Sequence, residues 1–282
     1  MPKTKIVVAG RRRFSDLLTA TVNRKGVLDV DVVKGCPAGI AAHGDRGCYQ
    51  ACYAANIARF RGIDFSRAVV RKVTSSNQAR KIERAVRKAP YGFFRVGTMG
   101  EPSHAWGETV RTVEWLAPYA IPVIITKHWC GATDAQLRQL AANGAIINTS
   151  VSALDSEAHL GHRLAEIQRY ARMGGISVAR VVSCDFNTSD ATGYDLDLIQ
   201  QHLLALRPVI DNPLRVASTH HLVQSGLIRI RRVKDLAIYR SISLSPDSGA
   251  YVGHCSGCSD VCGAGLLSAP HLRPSLPQLW LF

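Results

Sequence analysis

Six of the eight cysteines in this 282-residue chain fall into two tight groups, Cys36, Cys48 and Cys52, then Cys255, Cys258 and Cys262. In a reducing compartment such groups bind metal more often than they form disulfides. The N-terminus, Met1-Pro2-Lys3-Thr4-Lys5-Ile6-Val7-Val8, has basic residues but no long apolar core, so a cytoplasmic protein is expected. Cys48 and Cys52 stand four apart at the start of a helix predicted over 48–61, which puts both thiols on one face. The loop from 36 to 48 holds Gly39, Gly44 and Gly47 and can wrap closely enough to bring Cys36 back to them. Three thiolates on a four-iron cluster leave one iron with an open position, where a substrate or cofactor can bind. A closed zinc site would need a fourth ligand, and His43 could supply it.

The second group packs three thiols into the run His254-Cys255-Ser256-Gly257-Cys258-Ser259-Asp260-Val261-Cys262-Gly263. Small residues between thiols let them converge on one ion or cluster. An auxiliary 4Fe–4S cluster is preferred to zinc here, with Cys184, Cys130, His254 or an external group as the fourth ligand. Taken singly, Cys130 and Cys184 read as small buried hydrophobes.

The elements that must position these groups alternate. Strands are predicted at 27–33, 93–98, 122–126, 145–150, 176–183 and 214–218, with helices at 77–89, 107–117, 134–142, 157–173 and 195–206. About six β/α units imply a parallel sheet with right-handed crossovers, and six could close partly into a barrel whose site lies at the C-terminal strand ends. The expected class is therefore α/β, a partial (β/α)6 TIM-like barrel. Its predicted organisation is a basic arm over 1–26, the barrel over 27–244, and a cysteine-rich segment with a Pro-rich tail over 245–282.

The motif Cys48-Tyr49-Gln50-Ala51-Cys52-Tyr53-Ala54 resembles the cysteine motif of radical S-adenosylmethionine proteins. Its wide first spacing and Cys-Tyr-Ala ending are similar to the phage family called gene product eighty-eight. The usual motif of the superfamily has three and two residues between its cysteines, where this chain has eleven and three. Gly97-Thr98-Met99-Gly100-Glu101-Pro102, one strand later, is similar to the Gly-Glu-Pro segment that contacts the amino group of the bound cofactor in that superfamily. The resemblance implies that Cys36, Cys48 and Cys52 hold a 4Fe–4S cluster binding S-adenosylmethionine. It also implies that Gly100, Glu101 and Pro102, with Asn148, Ser150 and Ser152 at a later strand end, contact the cofactor. An electron donor such as flavodoxin or ferredoxin follows. Lys127, His128, Arg180, Asp185, Ser218, His220 and His221 could line the substrate pocket.

Charge suggests the substrate. The first 90 residues carry 19 Lys and Arg against 6 Asp and Glu, so almost all of the formal +14 sits in this third of the chain. Such a surface attracts a polyanion by releasing its counterions. Arg11, Arg12 and Arg13, together with Arg80, Lys81, Arg84, Arg87 and Lys88 on the helix at 77–89, are the candidate nucleic-acid contacts; the helix could equally be a solvated outer face. With the phage resemblance, the expected activity is an isomerase-like rearrangement of a hypermodified thymine in DNA, in the host cytoplasm. Two other readings are a zinc-stabilised nucleic-acid-binding protein without catalysis and a radical enzyme acting on a peptide or small metabolite.

Overall fold

The structure is a computed structural model that describes residues 13–42, 47–233, 241–245, 248–253 and 255–268. In chain order the strands are β1 (Thr21–Val22), β2 (Leu28–Asp29), β3 (Val33–Lys34), β4 (Val69–Val70), β5 (Phe93–Val96), β6 (Ile121–Thr126), β7 (Ile146–Val151), β8 (Ile176–Ser183), β9 (Asp185–Phe186), β10 (Val209–Pro213) and β11 (Ile228–Arg229). Seven of them form one sheet, in the order β1-β2-β5-β6-β7-β8-β10. β1 runs antiparallel at one edge, and the other six pair in parallel. The remaining strands make two small antiparallel pairs, β3 with β4 and β9 with β11.

The helices are α1 (Pro37–Ala41), α2 (Tyr53–Phe60), α3 (Ser76–Arg87), α4 (Trp106–Leu116), α5 (Asp134–Ala142), α6 (Glu157–Arg172) and α7 (Ala191–Leu204). Their starts follow capping chemistry: Ser75, Thr133, Ser156 and Asp190 each accept a first-turn N–H, and Thr133 forms a capping box with Gln136.

Strand order rises with sequence order along the parallel sheet, so right-handed crossovers stack the helices on one face. Phe94, Val96, Ile124 and Ile147 on that face pack with Ile82 and Val86 of α3, Val110 and Val113 of α4, and Leu137 and Leu140 of α5. Further along, Val151, Ala179 and Val181 meet Leu164 and Ile167 of α6 and Leu203 of α7. The alternate residues of the same strands face the other way. There Phe93, Val123, Ile146 and Val178 pack against Cys255, Val261, Cys262 and Ala264, so the C-terminal cysteine segment covers this second face from below.

Five of the six predicted parallel strands stand close to where they are expected. The sixth is displaced: it is Val209–Pro213, not 214–218. Asp211-Asn212-Pro213 carries turn-forming residues, but β10 is an edge strand, where the missing proline N–H costs nothing. Leu214 instead bridges Ser243. The basic arm is also shorter than expected. Arg11 and Arg12 lie outside the described residues and Arg13 is exposed, while Leu18 is buried and Thr21–Val22 joins the sheet.

The predicted helix over 48–61 is broken. A 3-10 turn covers Gly47–Gln50, in which Cys48 and Gln50 have positive φ of 48° and 55°, and α2 begins only at Tyr53 with Cys52 as its N-cap. A left-handed non-glycine residue cannot continue an α-helix, so Cys48 and Cys52 do not share a helical face.

Candidate active site

The segment 28–32, which begins with β2, alternates apolar and acidic residues. Leu28, Val30 and Val32 enter the helix-side core, while Asp29 and Asp31 face the opposite side. Asp29 is ion-paired with Arg95 at 3.0 Å and accepts the Thr98 hydroxyl at 3.0 Å. Asp31 accepts three backbone N–H groups, from Gly97 at 3.0 Å, Thr98 at 2.7 Å and Met99 at 3.1 Å. Its carboxyl is nevertheless raised to about 6, by burial first and by the Asp29 charge second. These two carboxylates hold the loop 97–99, and the loop carries Gly100-Glu101-Pro102 to the cysteines. Gly100 must be glycine because a Cβ there would lie 2.2 Å from the Val33 carbonyl oxygen.

Of the first group, Cys36 and Cys48 meet beside Gly39 of α1, and Cys52 reaches them through Cys48. Cys36 caps this helix, accepting the Gly39 N–H at 3.2 Å. A Cβ on Gly39 would stand 2.8 Å from Cys36 Sγ and 3.3 Å from Cys48 Sγ, so the bare glycine forms a cradle between the two sulfurs. Cys48 and Cys52 are hydrogen-bonded to each other. That bond, with burial added, raises Cys48; the same bond, helped by the Ala55 and Ala54 N–H groups at the start of α2, lowers Cys52 to about 7. Burial, and then the Glu101 charge, push the Cys36 thiol up. Burial thus favours the protonated thiols of Cys36 and Cys48, and Cys52 is the one of the three whose thiolate the surroundings favour. His43 lies outside the described residues.

The second triplet folds as two short 3-10 turns, Cys255–Gly257 and Val261–Gly263. The Cys258 N–H donates to the Cys255 carbonyl at 3.1 Å, and the charges of Cys258 and Cys262 both act on Cys255. Val261 and Cys262 have positive φ, as Cys48 and Gln50 do. Backbone strain of this kind costs of order 1–3 kcal/mol per residue and tends to persist where function over-determines it. Among the described residues, four of the five positive-φ non-glycine residues flank or are candidate metal ligands.

All six cysteines line one cavity of about 1170 Å³ on the sheet face away from the helices. Arg95, Lys127, Ser150 and Arg180 project into it from successive strands. Lys127 is ion-paired with Asp155 at 3.4 Å, and Asp155 also binds the buried Arg163 at 2.7 Å. Tyr53 lines the cavity and donates its hydroxyl to the Thr98 carbonyl.

Several predicted site residues are employed elsewhere. The Glu101 carboxylate accepts the Thr126 hydroxyl, the Lys127 N–H at 2.9 Å and the Ser103 N–H at 3.1 Å, which ties the loop to the end of β6. Pro102 is buried behind it. Asn148 is fully buried and donates to the Cys262 carbonyl at 3.1 Å, so it anchors the second triplet. Ser152 is likewise buried and donates to the Val182 carbonyl at 2.7 Å. Of that trio only Ser150 lines the cavity.

Cys184 is fully buried among Leu154, Phe186 and Leu196 in an apolar cluster, away from the second triplet. Cys130 is exposed, with its sulfur 3.7 Å from His104 Nδ1; Nε2 of the same ring lies 3.9 Å from Cys36 Sγ. It therefore neighbours the first triplet, not the second. His254 lies outside the described residues. His128 turns into the helix-side core, stacked at 5.6 Å on Trp106, and Asp185, Ser218, His220 and His221 do not line the cavity.

Arg80, Lys81, Arg84, Arg87 and Lys88 are all exposed, as predicted. The face is the surprise. Ile82 and Val86 anchor α3 on the helix side of the sheet, so these cations point away from the cavity, and Arg87 lies 3.8 Å over the Tyr119 ring. Basic side chains that do reach the cavity include Lys25, Lys34, Arg61, Arg71 and Arg215, which sequence pattern did not single out.

Among the described residues no three His, Cys, Asp or Glu side chains close tightly enough to hold one metal ion, and no helix is long and apolar enough to cross a membrane. Compared with protein-family models, curated proteins and solved structures, the chain matches none of them.

Proposed function

We propose that the chain is a radical S-adenosylmethionine enzyme built on a partial (β/α)6 barrel, with its reactive 4Fe–4S cluster held by Cys36, Cys48 and Cys52. The observation that carries this reading is the approach of Cys36 and Cys48 across the Gly39 cradle, with Cys52 hydrogen-bonded to Cys48, at the wall of a large cavity. A 4Fe–4S cluster held by these cysteines would supply one-electron reduction of S-adenosylmethionine, the source of radical chemistry in the cavity.

The chain's own residues supply placement and shielding. Asp31 fixes the loop 97–99 beside Cys36 through three N–H bonds. Glu101 holds that loop against β6 and so acts as a positioning residue. Lys127 places a positive charge near Cys36 and Cys48, which favours their thiolates. Ser150 and Tyr53 are the polar groups on the wall nearest to hand for a ribose or carboxylate. The second triplet, anchored by Asn148, is the proposed auxiliary 4Fe–4S site.

The cavity exceeds the range of about 300–1,000 Å³ usual for a single small ligand, so a second molecule can share it with the cofactor. The proposed substrate is a modified thymine in DNA, flipped into the cavity at a cost of a few kcal/mol and rearranged there without net oxidation. Its backbone contacts fall to the basic residues that reach the cavity, with α3 as a solvated outer face. The proposed electron donor is a flavodoxin or ferredoxin.

Electron paramagnetic resonance of the reduced, iron-loaded protein tests the cofactor assignment. Adding S-adenosylmethionine should change the cluster signal, and Cys52→Ala should abolish the change. A signal indifferent to S-adenosylmethionine refutes the assignment.

A further inference from the structure

The β8–β10 side of the cavity carries a charge arrangement that cofactor binding alone does not explain. Arg180 lies opposite Ser150 of β7 and Ile210 of β10 in the sheet register, which puts it on the cavity face. Its Nη2 donates to Asn212 Oδ1 at 2.9 Å, and Arg215 Nη2 donates to the same oxygen at 3.3 Å. Two guanidinium groups are thus held side by side on one neutral amide oxygen.

Among the described residues, two carboxylates on this side are committed. Asp29 binds Arg95, while Asp211 accepts the hydroxyls of Ser183 and Ser248. Among the described residues Arg180 is in no ion pair. Burial lowers its pKa, the charge of Cys262 opposes this, and the charges of Arg215 and Arg95 add to the lowering. Two guanidinium groups facing one cavity can receive an oxyanion together, because the planar forks of two arginines match a phosphate's oxygens.

We propose that Arg180 and Arg215, set together by Asn212, clamp a phosphate group of the substrate. The substrate class is then a nucleotide unit, recognised by its phosphate as well as its base, and not a free base or nucleoside. This rests on the reading that the cavity takes a nucleic-acid base, and it names what fixes that base's backbone. The carboxylate of S-adenosylmethionine offers similar chemistry, and so does the charge of an auxiliary cluster; both are separated from the phosphate by the test.

Equilibrium dialysis of full-length, anaerobically prepared protein against thymidine 5′-monophosphate and against thymidine needs neither reductant nor cofactor. The protein should bind the monophosphate at least about tenfold more tightly than thymidine, and the preference should shrink as salt rises. Arg180→Gln and Arg215→Gln should each remove the preference, with the weaker thymidine affinity, the affinity for S-adenosylmethionine and the iron content unchanged. Arg215 follows β10 in a loop, so Arg215→Gln decides the matter if Arg180→Gln does not fold. Equal affinity for both ligands, no measurable binding of either, or variants that bind like the parent overturn the clamp. Variants that lose S-adenosylmethionine affinity or iron in place of phosphate preference overturn it too. A protein that cleaves S-adenosylmethionine but shows no phosphate preference refutes the clamp alone. One with the preference but no cleavage refutes the cofactor reading alone.

Discussion

Replacing Gly39 by alanine sets two effects against each other. Gly39 lies in α1 with an ordinary negative φ, so backbone entropy alone favours alanine by about 0.5–1 kcal/mol. The added Cβ, however, would sit 2.8 Å from Cys36 Sγ and 3.3 Å from Cys48 Sγ, against an optimal separation of about 3.5–4.0 Å. Overpacking of this degree costs about 1–3 kcal/mol, so the net loss of stability should be about 2 kcal/mol or less. The effect on metal should be larger than the effect on folding, because both sulfurs must move apart to admit the methyl group. After anaerobic reconstitution Gly39→Ala should lack about four of the roughly eight irons expected for two 4Fe–4S centres, with a matching drop in absorbance near about 400 nm. Gly161→Ala in α6 is the control: nothing lies within 4 Å of its added Cβ, so it should be stabilised by about 0.5–1 kcal/mol and keep its iron. A folded Gly39→Ala protein with the parent's iron content and spectrum would refute the claim that these sulfurs converge on one group.

Other consequences can be measured on the same preparation. Asp155→Ala removes the carboxylate from the buried Arg163 and Lys127, and denaturation should show a loss of about 3–5 kcal/mol. Glu101→Ala strands three donors at the loop 97–102 and should cost about 3 kcal/mol or more, with Glu101→Gln milder. Burial, then the neighbouring His162 and Arg163, lower the His128 pKa to about 3. Its neutral form is favoured by the fold, so this stability is present above about pH 6.5 and declines as pH falls toward 3, by about 2 kcal/mol at about pH 5; replacing His128 with Gln should flatten that slope. Asp31 has the opposite sign. Its raised pKa gives stability that is present below about pH 4 and lost as pH rises through about 6, and Asp31→Asn should remove the loss.

Much of the architecture could be read from periodicity, because β5 to β8 are buried runs between amphipathic helices with ordinary caps. The alternation from Leu28 to Val32 matches the sides these residues take, apolar toward the helices and acidic toward the cavity. The sixth strand was misplaced because its turn-forming residues sit at a sheet edge, a tertiary fact. The broken helix at Cys48 was hidden for a similar reason: left-handed φ at Cys48 and Gln50 is imposed by the packing of the loop and leaves no mark on composition. At the site, grouped cysteines were legible, but the roles of Glu101, Asn148 and Ser152 were not. Each has the right residue type at a strand end, and only coordinates reveal that its polar atoms are spent inside the protein. The basic face of α3 was visible in the sequence, whereas its separation from the cavity depends on which side of the sheet the helix packs. His104 and Asp155 had no sequence signal beyond their type, since each acts through a contact distant in the chain.

The most direct test is incubation of the iron-loaded, chemically reduced protein with S-adenosylmethionine, followed by chromatography for 5′-deoxyadenosine. The account predicts that 5′-deoxyadenosine and methionine form only with reductant, and that Cys36→Ala, Cys48→Ala and Cys52→Ala each abolish them. A fully loaded, reduced protein that leaves S-adenosylmethionine intact, or a colourless protein that binds only zinc at these cysteines, would contradict it.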